Sequence, residues 1–230
     1  GPTAGGVSFT IHSVGATGCT LLLFRPQEKE PYARLKYPEA YHIGNTFAML
    51  VFGLKIDEFE YAFQLDGPYD VSRGLLFDKN NVLLDPFAKA VTGQRNWGER
   101  PESDEGFVYH ARVVENNFDW GRMTFPEIPA EDLIIYETHV RGFTRDASSG
   151  VTAGGTFEGL RQKIPYLKDL GVNAIELLPI FEFDEMESAR VVDGVQLYNY
   201  WGYNTVSFFA PNTSYSSARK FAFCKYTKKQ

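Results

Sequence analysis

One pattern in the second half of the chain restricts its fold more than any other: an apolar run, a helical stretch, then a second apolar run. Leu133–Val140 reads as an apolar strand with polar residues at its end. A loop carrying Gly142, Ser148, Ser149, Gly150, Gly154 and Gly155 follows. Thr156 is placed to cap a helix, and Phe157, Leu160, Ile164 and Leu167 recur at helical spacing behind it. Pro165 falls inside that pattern, so a kink or restart is expected there. Gly171 closes the helix, and Val172–Ile180 is the next strand, apolar enough to be buried on both faces. Two strands joined through a helix lie parallel in one sheet. Closing an eight-stranded barrel takes about 250 residues, more than the chain holds after Asp132. The residues therefore leave two options: a small doubly wound domain, or a barrel cut after its second strand.

The first half has a different texture. Val7, Phe9 and Ile11 alternate with Ser8, Thr10 and His12, the period of a strand buried on one face. Cys19–Phe24 and Phe47–Leu54 are further apolar runs. Phe59, Tyr61, Phe63 and Leu65 alternate with Glu60, Ala62 and Gln64 until Asp66-Gly67-Pro68, a strong turn signal. Short strands punctuated by turns predict an all-β sandwich of immunoglobulin type over residues 1–118. A linker containing Pro126 and Pro129 spans 119–131, the strand–helix–strand region is 132–217, and a basic tail occupies 218–230.

Composition narrows the function classes. With 43% hydrophobic and 23% charged residues the chain is globular, and 15% aromatic content fits either an aromatic core or rings that stack on sugars. A net charge of −6 argues against nucleic acid as partner. Cys19 and Cys224 are far apart and lack metal-ligand spacing, so neither a disulfide framework nor a metal or other cofactor is expected. No apolar run reaches the length of a membrane helix, and neither an initiator Met nor a signal peptide begins the chain.

Four stretches, in order, resemble isoamylase and bacterial glycogen debranching enzyme of the alpha-amylase superfamily. They are Tyr61–Tyr69 (YAFQLDGPY), Leu83–Ala90 (LLDPFAKA), Ile135–Thr144 (IYETHVRGFT) and Gly171–Pro179 (GVNAIELLP). The last continues into Tyr200-Trp201-Gly202-Tyr203-Asn204 and Phe208-Phe209-Ala210-Pro211. The resemblance implies a carbohydrate-binding-module-like immunoglobulin sandwich followed by the start of a (β/α)₈ TIM barrel. It also implies a glycosidase that cleaves α-1,6 branch linkages with retention, through a nucleophile and an acid/base about 5–5.5 Å apart. Those carboxylates sit on later barrel strands in the family, beside Asn-His and Arg-x-Asp motifs that are not found here. No catalytic residue is therefore assigned, and the chain is expected to be inactive alone. Asp184, Glu185 and Glu187 read as a solvated loop, and Glu176 as a structural residue of a buried strand.

By the same resemblance Tyr203 lies against the sugar ring where cleavage occurs, with Trp201 as its neighbour and Gly202 allowing a tight turn. His139 and Arg141, at the end of the first barrel strand, support the pocket by bonding neighbouring loops. His12, His42 and His110 read as ordinary strand or surface residues. Trp97 is the Trp that precedes the linker. The implied partner is an α-glucan such as glycogen, amylopectin or limit dextrin. The implied compartment is the cytoplasm, or a plastid where a transit peptide precedes the chain. Two alternatives stay open: a non-catalytic glucan-binding or scaffold protein of the same ancestry, and a fragment of a branching enzyme.

Overall fold

Alternation becomes a sandwich because two sheets hide their apolar faces against each other. The computed structural model describes residues 1–26, 28–92, 97–98, 109–115 and 117–217. Its contacts group into two units: Gly1–Thr92 with Pro101–Glu115, and Gly93–Arg100 with Asn116–Gln230.

In the first unit a four-stranded sheet is built on Gly6–His12 paired antiparallel with Thr46–Phe52. A five-stranded sheet has Glu60–Asp66 and Gly18–Phe24 at its centre, with Pro31–Lys36 on one edge and Ala90–Val91 on the other. Val7, Phe9 and Ile11 point inward, as their spacing predicts. Phe9 meets Tyr61 edge-on at 5.0 Å and Phe59 at 6.0 Å, and the Tyr37 hydroxyl donates to the Phe9 carbonyl at 3.2 Å.

The larger sheet is covered on both faces, which sequence periodicity did not reveal. Leu21, Leu22, Leu23 and Phe24 are all buried in succession, and Leu22, Phe24 and Ala62 form a second small core under Val82. Glu60, read as facing solvent, is fully buried. Its Oε2 lies 3.3 Å from Nδ1 of His110, whose ring stacks on Phe24 at 3.7 Å. His110 is therefore a core residue holding a buried carboxylate, not a surface histidine.

The second unit contains the expected strand–helix–strand. Ile135–Thr138 and Ala174–Leu177 pair in parallel, in register from Ile135 opposite Ala174 to Thr138 opposite Leu177. The Thr156 side chain accepts from the Gly159 N–H and starts the helix Phe157–Gln162. Pro165 enforces the restart: a second helix, Ile164–Asp169, begins after Lys163 with the proline in its first turn. Gly171 ends the helical stretch at φ +90°.

Both strands are shorter than their apolar runs, and apart from Thr138 they are exposed or half-buried. Ile135 and Ile175 are 56% and 40% exposed, and Glu176 is exposed too. Among the described residues no further strand joins this two-stranded sheet, so its outer edges and one face stay open. Beyond it, Phe181–Phe183 pairs antiparallel with Thr205–Pro211. A hairpin of Arg190–Val192 and Val195–Leu197 turns at Asp193-Gly194, both at positive φ as a two-residue hairpin turn requires.

Candidate functional site

The chain between Leu197 and Thr205 has no regular backbone pairing, so the shape of its Asn199–Asn204 loop depends on what grips it. Three groups do. The first is the acidic segment after Phe183, which sequence reading left as a solvated loop. The Asn199 N–H donates to the Glu185 carbonyl at 2.9 Å, and Asn199 Nδ2 donates to the Asp184 carbonyl at 3.4 Å. At the other end, Asn204 Nδ2 donates to Oε2 of Glu187. Within the loop the Gly202 N–H returns to Asn199 Oδ1 at 3.3 Å.

Glu185 itself is fully buried, which corrects the solvated reading. Its Oε1 accepts from the Gly98 N–H at 3.1 Å, and burial pushes its carboxyl up to about 7. Glu182 is equally buried, accepts from the Thr213 N–H at 2.9 Å, and is pushed up to about 8 by the same desolvation. Both carboxyls are buried and accept from backbone N–H groups, so they tie neighbouring segments together. Among the described residues no cluster of three or more His, Cys, Asp or Glu could hold a metal ion.

The second grip is His139. It ends the first parallel strand and caps the short helix Val140–Thr144, its Nδ1 accepting from the Gly142 N–H at 3.1 Å. With Nδ1 accepting, the proton sits on Nε2, which donates to the Tyr200 carbonyl at 2.9 Å and lies 3.2 Å from the Tyr215 hydroxyl. Burial lowers its pKa, so the imidazole is neutral at pH 7. Its ring stacks on Tyr200 at 4.1 Å and 10°, and meets Trp201 edge-on at 6.1 Å. Gly142 is required beneath, because a side-chain carbon there would run into the Tyr200 hydroxyl.

The third grip is Phe183, packed under Gly202. Gly202 is buried at φ +78°, and a β-carbon on it would overlap the Phe183 ring. The tight turn expected from sequence is present, and it has a packing reason as well as a conformational one.

Held this way, the loop presents its aromatic neighbours outward. Trp201 is 55% exposed and Tyr203 71%. Among the described residues no ring stacks on Tyr203. Arg141, the other residue expected near the pocket, places its guanidinium 4.4 Å over the ring of Trp97. The structure thus joins His139 to Trp201 through Tyr200, and Arg141 to Trp97, and leaves Tyr203 exposed. Sequence reasoning missed Glu185, Tyr215 and Trp97. The only signal available for the first was a Glu two residues beyond Phe183 in an otherwise polar stretch, which also fits a solvated loop.

Several known proteins are similar to this chain. Residues 1–88 match the family described as carbohydrate-binding module 48 (isoamylase N-terminal domain). The chain is 35% identical to "Isoamylase 1, chloroplastic" of Arabidopsis thaliana, over 95% of this chain and 29% of that protein. It is 33% identical to "Glycogen debranching enzyme" of Serratia proteamaculans, over 93% of this chain and 33% of that protein. In fold it resembles a multi-modular glycogen-degrading pneumococcal virulence factor, SpuA, with a TM-score of 0.71 and 24% identity. That likeness covers 94% of this chain and 23% of the SpuA chain. The chain spans about a third or less of the length of these relatives.

Proposed function

We propose that this chain, a relative of the N-terminal portion of isoamylases and glycogen debranching enzymes, is the front of an α-1,6-glucan debranching hydrolase. In this reading residues 1–118 form the carbohydrate-binding-module-like domain, and 132–217 begin the catalytic barrel. The observation that carries it is the Asn199–Asn204 loop, buttressed on three sides yet holding Trp201 and Tyr203 outward. A rigid exposed ring offers flat apolar area to the C–H face of a glucose unit, and the Tyr203 hydroxyl can still hydrogen-bond a sugar oxygen. Preorganising the ring reduces the ordering cost of binding.

The loop follows the second parallel strand, the side on which barrel enzymes place their sites. Tyr203 is the stacking residue at the cleavage position, Trp201 its companion, and His139 and Arg141 hold the surrounding backbone and rings. The nucleophile and acid/base of a retaining mechanism belong to later strands, so the chain alone releases no sugar. The compartment in this reading is the cytoplasm, or a plastid as in the Arabidopsis relative, which is named as chloroplastic. No described helix is long and apolar enough to cross a membrane.

The test uses a protein extended to the length of the relatives. Tyr203→Ala there should lower kcat/KM on branched glucan by tens-fold or more, on the order of 2 kcal/mol of transition-state binding. Tyr203→Phe should be milder. Unchanged kinetics for the alanine variant, at matched folding stability, would remove the proposal.

A further inference from the structure

Trp97 lies far from the loop in sequence, inside the stretch read as the first half of the chain, and neither the motifs nor the proposed chemistry accounts for it. Among the described residues its ring contacts fall within the second unit. The indole stacks on Tyr215 at 6.1 Å and 8°, and meets Phe183 edge-on at 5.9 Å and Tyr200 edge-on at 6.1 Å. The Arg141 guanidinium covers the ring at 4.4 Å.

The residue after it is tied down as well. The Gly98 N–H donates to the buried Glu185 carboxyl at 3.1 Å. Gly98 sits at φ +77°, and a β-carbon there would come within 2.8 Å of the Tyr198 ring. This two-residue strap therefore reaches Tyr198 just before the loop, Tyr200 inside it, and two residues behind the loop's other grips: Phe183, which lies under Gly202, and Tyr215, which bonds His139.

We propose that Trp97 is a positioning residue for the sugar-binding loop, its ring fixing Tyr200 and thereby the presentation of Trp201 and Tyr203 to an α-glucan. The inference rests on the functional reading above, because it takes the loop as the glucan site. Trp97 itself touches no sugar. It acts through Tyr200, whose ring it abuts and whose neighbour Trp201 packs against that ring at 5.3 Å and 81°. A planar ring is needed, since the contact to Tyr200 and the cation above both use its edge and face.

The experiment titrates the whole chain with maltoheptaose and follows the Trp201 indole N–H by NMR. Trp97→Leu keeps apolar volume without a ring, and Trp97→Phe keeps a ring. The expected result is a Kd raised about five-fold or more in the leucine variant and within about two-fold of the parent in the phenylalanine variant. If the leucine variant fails to fold, Gly98→Ala stands in, because a β-carbon at that φ, pressed on the Tyr198 ring, displaces the strap and the indole with it. A three-fold or greater weakening is then expected. Parent affinity in the leucine variant, or in Gly98→Ala where that variant is used, together with loss of binding in Tyr203→Ala, would overturn the role of Trp97 and leave the glucan site standing. No effect from Tyr203→Ala, or no binding by the parent chain, would overturn the glucan reading and this proposal with it.

Discussion

At Gly202 a single hydrogen atom in place of a side chain decides the shape of the candidate site. Its positive φ and its contact with the Phe183 ring each exclude a β-carbon. Gly202→Ala should therefore cost about 2 kcal/mol or more, from strain and overpacking together. Urea unfolding followed by Trp fluorescence would measure it, and a loss under about 0.5 kcal/mol would show that the loop yields. The glycine and the two rings beside it were legible in sequence because they sit in one motif. Glu185 was not, because a carboxylate among polar residues reads as solvated whether or not tertiary packing covers it. Its burial has a titration consequence. Glu185 and Glu182 titrate near 7 and 8 when folded, against an ordinary 4.5. Between those values the folded state keeps protons that the unfolded state has lost, so stability falls as pH rises from about 5 to 8 and is flat above. Glu185→Gln retains an acceptor for Gly98 and removes the charge. It should be more stable than the parent at pH 8 by on the order of 2 kcal/mol, with little difference at pH 5. A variant less stable than the parent at pH 8 would mean that the ionised carboxylate is compensated in place.

At the scale of elements, capping and breaking residues read true and burial did so only in part. Thr156, Pro165 and Gly171 act through the backbone one to four residues away, so their effects are local and visible in sequence. Burial depends on what arrives from elsewhere in the chain. Leu21–Phe24 is buried throughout because both faces of its sheet are covered. Ile135 and Ile175 are exposed because their parallel pair has no further neighbour among the described residues. A two-stranded sheet with open edges is marginally stable. Amide exchange should therefore be slow across Gly18–Phe24 and Glu60–Asp66 and markedly faster across Ile135–Thr138 and Ala174–Leu177. Equal protection in both sets would show that the parallel pair is stabilised by more than its own two strands.

Over the whole molecule, the sequence halves and the contact units differ at residues 116–118, beside the linker, and at one segment inside the first half. Residues 93–100, read as part of the first half, group with the second unit. No composition shift marks that segment, and only the packing of Trp97 and Gly98 reveals where it goes. The central claim is that the second unit presents a preformed glucan site at Trp201 and Tyr203, separate from any binding by the module of residues 1–88. The chain carries Trp97, Trp120 and Trp201, so three indole N–H signals report on it directly. The most direct measurement is a maltoheptaose titration of the intact chain, following those indoles by NMR in the parent and in Tyr203→Ala. The account predicts a saturable shift of the Trp201 indole in the parent, little change at Trp120, and loss of the Trp201 shift in the variant. A stationary Trp201 indole, with every perturbation confined to residues 1–88, would contradict it.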